Sequence, residues 1–280
     1  MRLIRAYMDT IFRLYNDLGL ALAAAVTFSG VLALFPFLIF VTALAGFFGG
    51  ADAADRAVAQ LFESLPSQVA DAFAPAVRSV LSHTRGDILT VGFLLALIIS
   101  SSGVESLRTA LNRAYRVKET RSFWYCRLQS CGFVVAGAVA MLIVGFAIIL
   151  APAIQAFAGD HLERFGALVA MFDQFRLFIG TFVLLVMLFA MHFWLPAGHR
   201  RLLDIWPGIL HTVVLWLFAG VAYSTYLAYY NYYTSMYAGL ANIMIALFFF
   251  YISSVIFVFG AELNRAFLEE KNGDADTAKS

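Results

Sequence analysis

The sequence predicts an all-α fold, a polytopic transmembrane helix bundle with six transmembrane helices. Only 13% of the 280 residues are charged and 62% are hydrophobic, whereas soluble globular chains have about 25% and about 45–50%. The charges are also unevenly placed, because five stretches without Asp, Glu, Lys or Arg make up more than half of the chain. These stretches lack the alternation of β-barrel strands, so each is expected to be helical or buried in protein.

The length of each stretch sets the number of spans, since about 20 apolar helical residues cross the hydrocarbon core. Four stretches supply one span each, and the stretch 205–261 is long enough for two, with a turn at its polar middle, Asn231–Ser235. The predicted spans are 24–48, 86–104, 131–155, 177–198, 207–229 and 239–261. We expect one membrane domain, 1–270, followed by a disordered cytoplasmic tail, 271–280.

The basic residues of the connections predict the orientation, because cytoplasmic loops retain Lys and Arg. Fourteen lie in the N-terminal segment, the second and fourth loops and the C-terminal segment, and five lie in the other loops. Both termini are therefore predicted to be cytoplasmic. The first charge-free stretch, 18–51, is much longer than the h-region of a cleaved signal peptide, so we expect the first span to stay as an anchor.

The segment 52–87, between the first two spans, is too long for a plain loop. Val69, Phe73, Val77, Val80 and Leu81 recur at helical spacing, which predicts amphipathic interfacial helices with their apolar face toward the membrane. Such helices would serve either as a lid that packs the outer face or as a gate over a pathway.

Small residues precede a proline in the first span. Thr27, Ser29 and Gly30 come before Pro36, which removes one backbone hydrogen bond and can kink a helix. Small residues favour close helix packing, and the alternative is a broken helix that contributes to a substrate site.

The second span ends in a polar segment that includes Ser101, Ser102, Glu105, Arg108 and Asn112. Serines in a span allow close approach of backbones. A glutamate near the membrane is costly unless it is paired. We therefore weigh two hypotheses for Glu105, a structural clamp and part of a substrate pathway.

The sixth span ends with the same Gly-x-Glu-x-x-Arg pattern, in Gly260–Arg265 as in Gly103–Arg108. Because both ends are predicted at the same depth, pairing of Glu105 with Arg265, or of Glu262 with Arg108, would neutralise these charges. The match is also weak evidence for an internal repeat of the kind found in transporters.

Seven of the twelve tyrosines lie between residues 223 and 237, where the aromatic belt of the outer interface is expected. Alternatively, Tyr237 and Asn242 would line an outer vestibule. The five histidines are scattered and match no metal-site spacing, so we expect no metal and no cofactor.

Several motifs together resemble the YihY/virulence factor BrkB family of bacterial inner-membrane proteins. They are Ala23–Phe28 with Leu34–Phe37, Ser100–Leu107 with Ala110–Tyr115, Trp206-Pro207-Gly208, Tyr237–Leu240 and Gly260–Asn264. The resemblance covers about residues 5–270, and it departs from the family pattern at Ala241-Asn242, where two glycines are common. It implies a multi-pass protein of the inner membrane, of a family proposed to act as permeases or as helpers of lipid and envelope export. Some members carry a ribonuclease label, which no cluster of carboxylates or histidines in this sequence supports.

We therefore expect a transporter, permease or lipid-translocase-like protein for an amphipathic or anionic substrate, and not an enzyme. The alternative is a non-transporting scaffold that recruits a partner through its basic cytoplasmic loop, and a membrane-bound nuclease is a third hypothesis. The expected partners are membrane lipids and, as a candidate, a second copy in a homo-oligomer, but no nucleic acid. The candidate pathway residues are Thr27, Ser29, Pro36, Ser101, Ser102, Glu105, Arg108, Asn112, Arg113, Tyr237, Asn242, Glu262, Asn264 and Arg265. The candidate contacts to anionic lipid are Arg116, Lys118 and Arg121.

Overall fold

The structure, a computed structural model, describes the backbone of residues 2–49, 59, 70, 89–158, 162–229 and 238–277. These residues form seven α-helices and contain no strand, so the all-α prediction is confirmed for the part of the chain described. The helices are α1 (Arg2–Asn16), α2 (Gly19–Gly49), α3 (Leu89–Ala114), α4 (Phe123–Ala158), α5 (Leu162–Trp194), α6 (Leu202–Tyr229) and α7 (Ala238–Thr277).

Five of these helices are long and apolar enough to cross a membrane. The qualifying segments are Gly19–Leu44, Leu94–Ala114, Phe123–Gly145, Leu202–Leu227 and Ile243–Glu270. In α5, the apolar segment whose side chains the structure describes is Phe178–Trp194, and it is shorter than the five qualifying segments. Five of the six predicted spans therefore correspond to a helix of spanning length, and the crossing by α5 stays a prediction.

The helices extend beyond the predicted spans. The second span was expected to end at residue 104, but α3 continues to Ala114 and includes Glu105, Arg108 and Asn112. Similarly, α7 runs to Thr277, into the segment predicted to be a disordered tail. A charge-free stretch shows only which part of a helix can lie in the hydrocarbon core. The helix itself can extend further, where its polar side chains form hydrogen bonds or ion pairs.

The most extensive packing is between α2 and α3. A Cβ atom added to Gly103 would lie 3.1 Å from Ala33 Cβ and 3.6 Å from the carbonyl oxygen of Ser29. The backbones therefore approach closely at small residues, as in many membrane helix pairs. α2 is helical across Pro36, so the structure favours the packing interpretation of this span over a broken helix.

The helix α1 precedes the first span and was not predicted. It turns into α2 through Leu18, whose φ is 60°. One face of α1 packs on α7, and Tyr7 contacts the His211 ring of α6 with centroids 5.3 Å apart. The opposite face exposes large apolar side chains at helical spacing, those of Met8, Ile11, Phe12 and Tyr15.

Some predicted features lie outside the described residues. These are the interfacial helices predicted within 52–87, of which only residues 59 and 70 are described, the turn at Asn231–Ser235, Tyr237, and the side chain of Asn242.

Candidate functional site

One end of the bundle, which we call the polar end, gathers the polar side chains of five helices. α3 and α5 finish there, α4 and α6 begin there, and α7 passes through it near Asn264. It is the end that the charge count predicts to be cytoplasmic. The polar end is therefore the candidate site.

Tyr115, directly after α3, is the centre of a buried hydrogen-bond network. Its hydroxyl accepts a hydrogen bond from Asn264 Nδ2 at 3.1 Å and is hydrogen-bonded to His192 Nδ1 at 2.9 Å. Asn264 Oδ1 accepts from the backbone N–H of Gly208 at 2.6 Å. Burial raises the pKa of the Tyr115 hydroxyl, which therefore stays protonated. The network joins α3, α5, α6 and α7.

The Tyr115 network depends on a close crossing of α6 and α7. A Cβ atom on Gly208 would overlap the carbonyl oxygen of Gly260, and a Cβ on Gly260 would overlap the Thr212 hydroxyl. Glycine at both positions lets the backbones approach and brings Asn264 to the first turns of α6.

The loops at the polar end are joined by a second set of bonds, which we call the loop clamp. Glu119 binds Arg121 through both carboxylate oxygens, with Oε1–Nε at 2.7 Å and Oε2–Nη2 at 2.6 Å. Arg121 Nη2 also donates to the carbonyl of Leu195, at 2.9 Å, just past the end of α5. Asn112 completes the clamp, because Nδ2 donates to Glu119 and Oδ1 accepts from the Ala197 N–H at 2.7 Å.

The clamp is preceded by a tight end of α3. Val117 N–H donates to the Asn112 carbonyl at 2.9 Å and Arg116 N–H to the Arg113 carbonyl at 3.0 Å, the pattern of a Schellman motif. Arg116 occupies the left-handed position, with a φ of 55°. This turn sets the direction in which the chain leaves Tyr115 for the clamp.

Glu105 and Arg108 bind α4 rather than α7. Glu105 Oε1 lies 3.0 Å from Arg127 Nη1, and the buried Arg108 donates from Nη2 to the Cys126 carbonyl and to Ser130 Oγ, both at 2.5 Å. The predicted pairing of Glu105 with Arg265, or of Glu262 with Arg108, is therefore wrong. Since α3 continues past residue 104, these side chains meet the first turns of α4 instead.

Arg265 belongs to a group of ion pairs that ties α1 to α3 and α7. Glu269 accepts from Arg265 Nε at 2.8 Å and lies 2.6 Å from Arg13. Asp17 lies 3.0 Å from Arg116 and 3.7 Å from Arg113. The hydrogen bond that Arg116 donates to Asp17 raises the pKa of Arg116.

Glu262 is buried at the polar end and forms no ion pair among the described residues. Its side chain is 1% exposed and Oε2 makes no hydrogen bond among the described residues.

The remaining predicted residues lie apart from the polar end. Thr27 bonds the carbonyl of Ala23 at 2.8 Å and Ser254 Oγ at 3.0 Å, which joins α2 to α7. Ser101 and Ser102 donate to the carbonyls of Ile98 and Ile99 in their own helix, both at 2.7 Å. The structure therefore does not unite the predicted pathway residues in one cluster.

Sequence reasoning missed several residues of the polar end. His192 was interpreted as an interfacial residue, although it is fully buried against Tyr115. Glu119, Arg200 and Asp17 were not singled out, since their partners come from distant parts of the chain. Tyr115, Gly208 and Gly260 could have been identified from the sequence, because all three lie within the motifs that carried the family resemblance.

Comparison with known proteins agrees with the resemblance. The family model described as Virulence factor BrkB matches residues 10–280. A protein of Bacillus subtilis (strain 168), named "Putative ribonuclease-like protein YfkH", is 24% identical over 246 residues, which are 88% of this chain and 89% of that protein. No solved structure matches.

Proposed function

Because the chain belongs to the virulence factor BrkB family and has five helices able to span a membrane, we propose that it is a transporter or lipid-translocase-like protein of the bacterial inner membrane. Its substrate is amphipathic or anionic. The polar end is the cytoplasmic side of the pathway, and both termini lie on that side.

The observation that carries the proposal is the burial of Glu262 without a hydrogen-bond partner for Oε2 among the described residues. A charged side chain inside a membrane costs about 2.5–3.5 kcal/mol or more, and a buried polar group without a partner adds to that cost. The buried Arg108 makes two hydrogen bonds through Nη2, although its Nε has no partner among the described residues. A group that is left so weakly compensated in a span is where ions or substrates are expected to bind.

The proposal is tested by replacing Glu262 and, as a matched control, Glu105. Both substitutions, Glu262→Gln and Glu105→Gln, remove one carboxylate at nearly constant volume, but Glu105 is paired with Arg127. The measurement is translocation of fluorescent phosphatidylglycerol in proteoliposomes of phosphatidylethanolamine and phosphatidylglycerol. We expect Glu262→Gln to slow translocation about tenfold, equivalent to about 1.4 kcal/mol in the barrier, and Glu105→Gln to slow it less than threefold.

Two results would contradict the proposal. Wild-type protein that does not accelerate translocation above protein-free vesicles would rule out lipid translocation. An active protein whose translocation rate is unchanged by Glu262→Gln would show that Glu262 has a purely structural role.

The scaffold alternative draws less support from the polar end. Arg116 and Arg121 are held by Asp17 and Glu119. Among the three candidate lipid contacts, only Lys118 forms no ion pair with a carboxylate of the described residues. The nuclease hypothesis, which the name of the Bacillus subtilis relative suggests, has its direct test in metal-dependent cleavage of RNA by the purified protein.

A further inference from the structure

A pocket of about 410 Å³ opens at the polar end beside Tyr115. It lies between the loop that joins α5 to α6, the first turn of α6 and the last part of α7. The charged and polar residues that line it are Tyr115, His199, Arg200, Arg201, Asp204 and Arg265. Its volume is in the range of about 300–1,000 Å³ that small-molecule sites occupy.

The charge of the pocket lining is predominantly positive. Three guanidinium groups face one carboxylate, that of Asp204. Arg265 is compensated by Glu269, 2.8 Å away. Arg200 and Arg201, in contrast, form no ion pair with any carboxylate of the described residues.

Arg200 is fixed in place although it has no counter-charge among the described residues. Its guanidinium carbon lies 4.2 Å from the centre of the Tyr115 ring, and Nη2 donates to the Ala197 carbonyl at 2.5 Å. Burial lowers the pKa of Arg200, and the charges of Arg121 and Arg265 lower it further. A half-buried, pre-oriented cation among other cations gains stability from an anion.

We propose that this pocket binds a phosphate-bearing anion through Arg200 and Arg201. The planar guanidinium group presents pairs of N–H donors that match phosphate oxygens, and it is less strongly hydrated than an ammonium group. The volume beyond one phosphate leaves room for the group that carries it. The phosphate could belong to a lipid headgroup or be free in solution. This inference goes beyond the proposed function and does not depend on it, because binding is measured without translocation.

The test is calorimetric titration of the purified full-length protein in a non-ionic detergent. The probes are inorganic phosphate, a short-chain phosphatidic acid and, for comparison, short-chain phosphatidylcholine, whose phosphate is screened by its choline. The variant is Arg201→Gln, since Arg201 is exposed and its side chain makes no hydrogen bond among the described residues that folding would lose. The matched control is Lys118→Gln, which removes one exposed positive charge at the same end but outside the pocket.

We expect wild-type protein to bind phosphatidic acid, and Arg201→Gln to weaken that affinity at least tenfold. Lys118→Gln should leave the affinity for phosphatidic acid within twofold of wild type. Comparable binding of inorganic phosphate identifies free phosphate as a sufficient ligand, and binding of phosphatidic acid alone identifies the lipid headgroup as the source. The inference is overturned if neither phosphate probe binds, or if both variants weaken binding equally, since that would reflect general surface charge.

Discussion

Glu119 shows how much one residue in a loop contributes to the polar end. Its carboxylate accepts hydrogen bonds from Arg121 and Asn112. The hydrogen bond from Arg121 is the main cause that lowers the pKa of Glu119 from 4.5 to about 2. The same Arg121 binds the carbonyls at the end of α5. The ionised form of Glu119 therefore holds the loop after α3 against α5.

We expect Glu119→Gln to lower the free energy of unfolding by about 1 kcal/mol near neutral pH. This is less than the loss of a fully buried ion pair would cost, because the Glu119 side chain is partly exposed and solvent screens its charge. A carboxyl whose pKa is lowered by folding contributes fully above its unfolded pKa and loses that contribution as the pH falls toward its folded pKa. The difference from wild type should therefore shrink between about pH 4.5 and about pH 2. Thermal unfolding in detergent measures it, and the control is the neighbouring Thr120→Ala, expected within about 0.5 kcal/mol of wild type. A difference that is independent of pH would show that the charge of Glu119 is not what stabilises the loop.

Among the described helix contacts, the crossing of α6 and α7 is the one that an added side-chain atom would disturb most. The two backbones meet at Gly208 and Gly260, where even a methyl group would overlap the facing helix. Gly220, also on α6, has no facing atom of the described residues within 4 Å of an added Cβ. Comparing Gly208 with Gly220 on the same helix thus separates the effect of packing from that of helix propensity.

We expect Gly208→Ala to destabilise the protein by about 1–3 kcal/mol, the usual cost of overpacking, because α6 and α7 must move apart and Asn264 loses its bond to the Gly208 N–H. Gly220→Ala, a substitution without a facing contact among the described residues, should stabilise the protein by about 0.5–1 kcal/mol through helix propensity alone. Thermal unfolding of both variants in the same detergent compares them directly. Equal effects of the two substitutions would mean that the close crossing is not what makes Gly208 necessary.

The helices were easier to predict from the sequence than their contacts. Hydrocarbon length and charge-free stretches predicted the five helices of spanning length, because both depend on local composition. The partner of Glu105 depends instead on how far α3 extends, and the predicted partner was Arg265 of α7, whereas the structure places Glu105 beside Arg127 of α4. His192 is an extreme case, since only the fold brings it to Tyr115, 77 positions away in the chain.

For the whole molecule, the path of the chain implies a crossing by α5. α4 begins at the polar end and α5 finishes there, since Gln129 Nε2 donates to the Trp194 carbonyl at 2.7 Å. α4 has 36 residues, which at about 1.5 Å per residue extend about 54 Å, beyond a hydrocarbon core of about 30 Å. A chain that leaves along α4 must return along α5, whose 33 residues are long enough to do so. With the five helices of spanning length, a crossing by α5 would make six, as the sequence predicts.

Six crossings predict that the connection between α4 and α5 is on the opposite side of the membrane from the loop after α3. The test places single cysteines at Asp160→Cys and Lys118→Cys in a variant whose native Cys126 and Cys131 are replaced by alanine. A membrane-impermeant maleimide applied to intact spheroplasts should label position 160, and label position 118 only after the membrane is permeabilised, because the basic loop is predicted to be cytoplasmic. Labelling of both positions in intact spheroplasts would place the two loops on the same side of the membrane and exclude the crossing by α4. Labelling of position 118 alone would be consistent with six crossings but would mean that the predicted orientation is reversed.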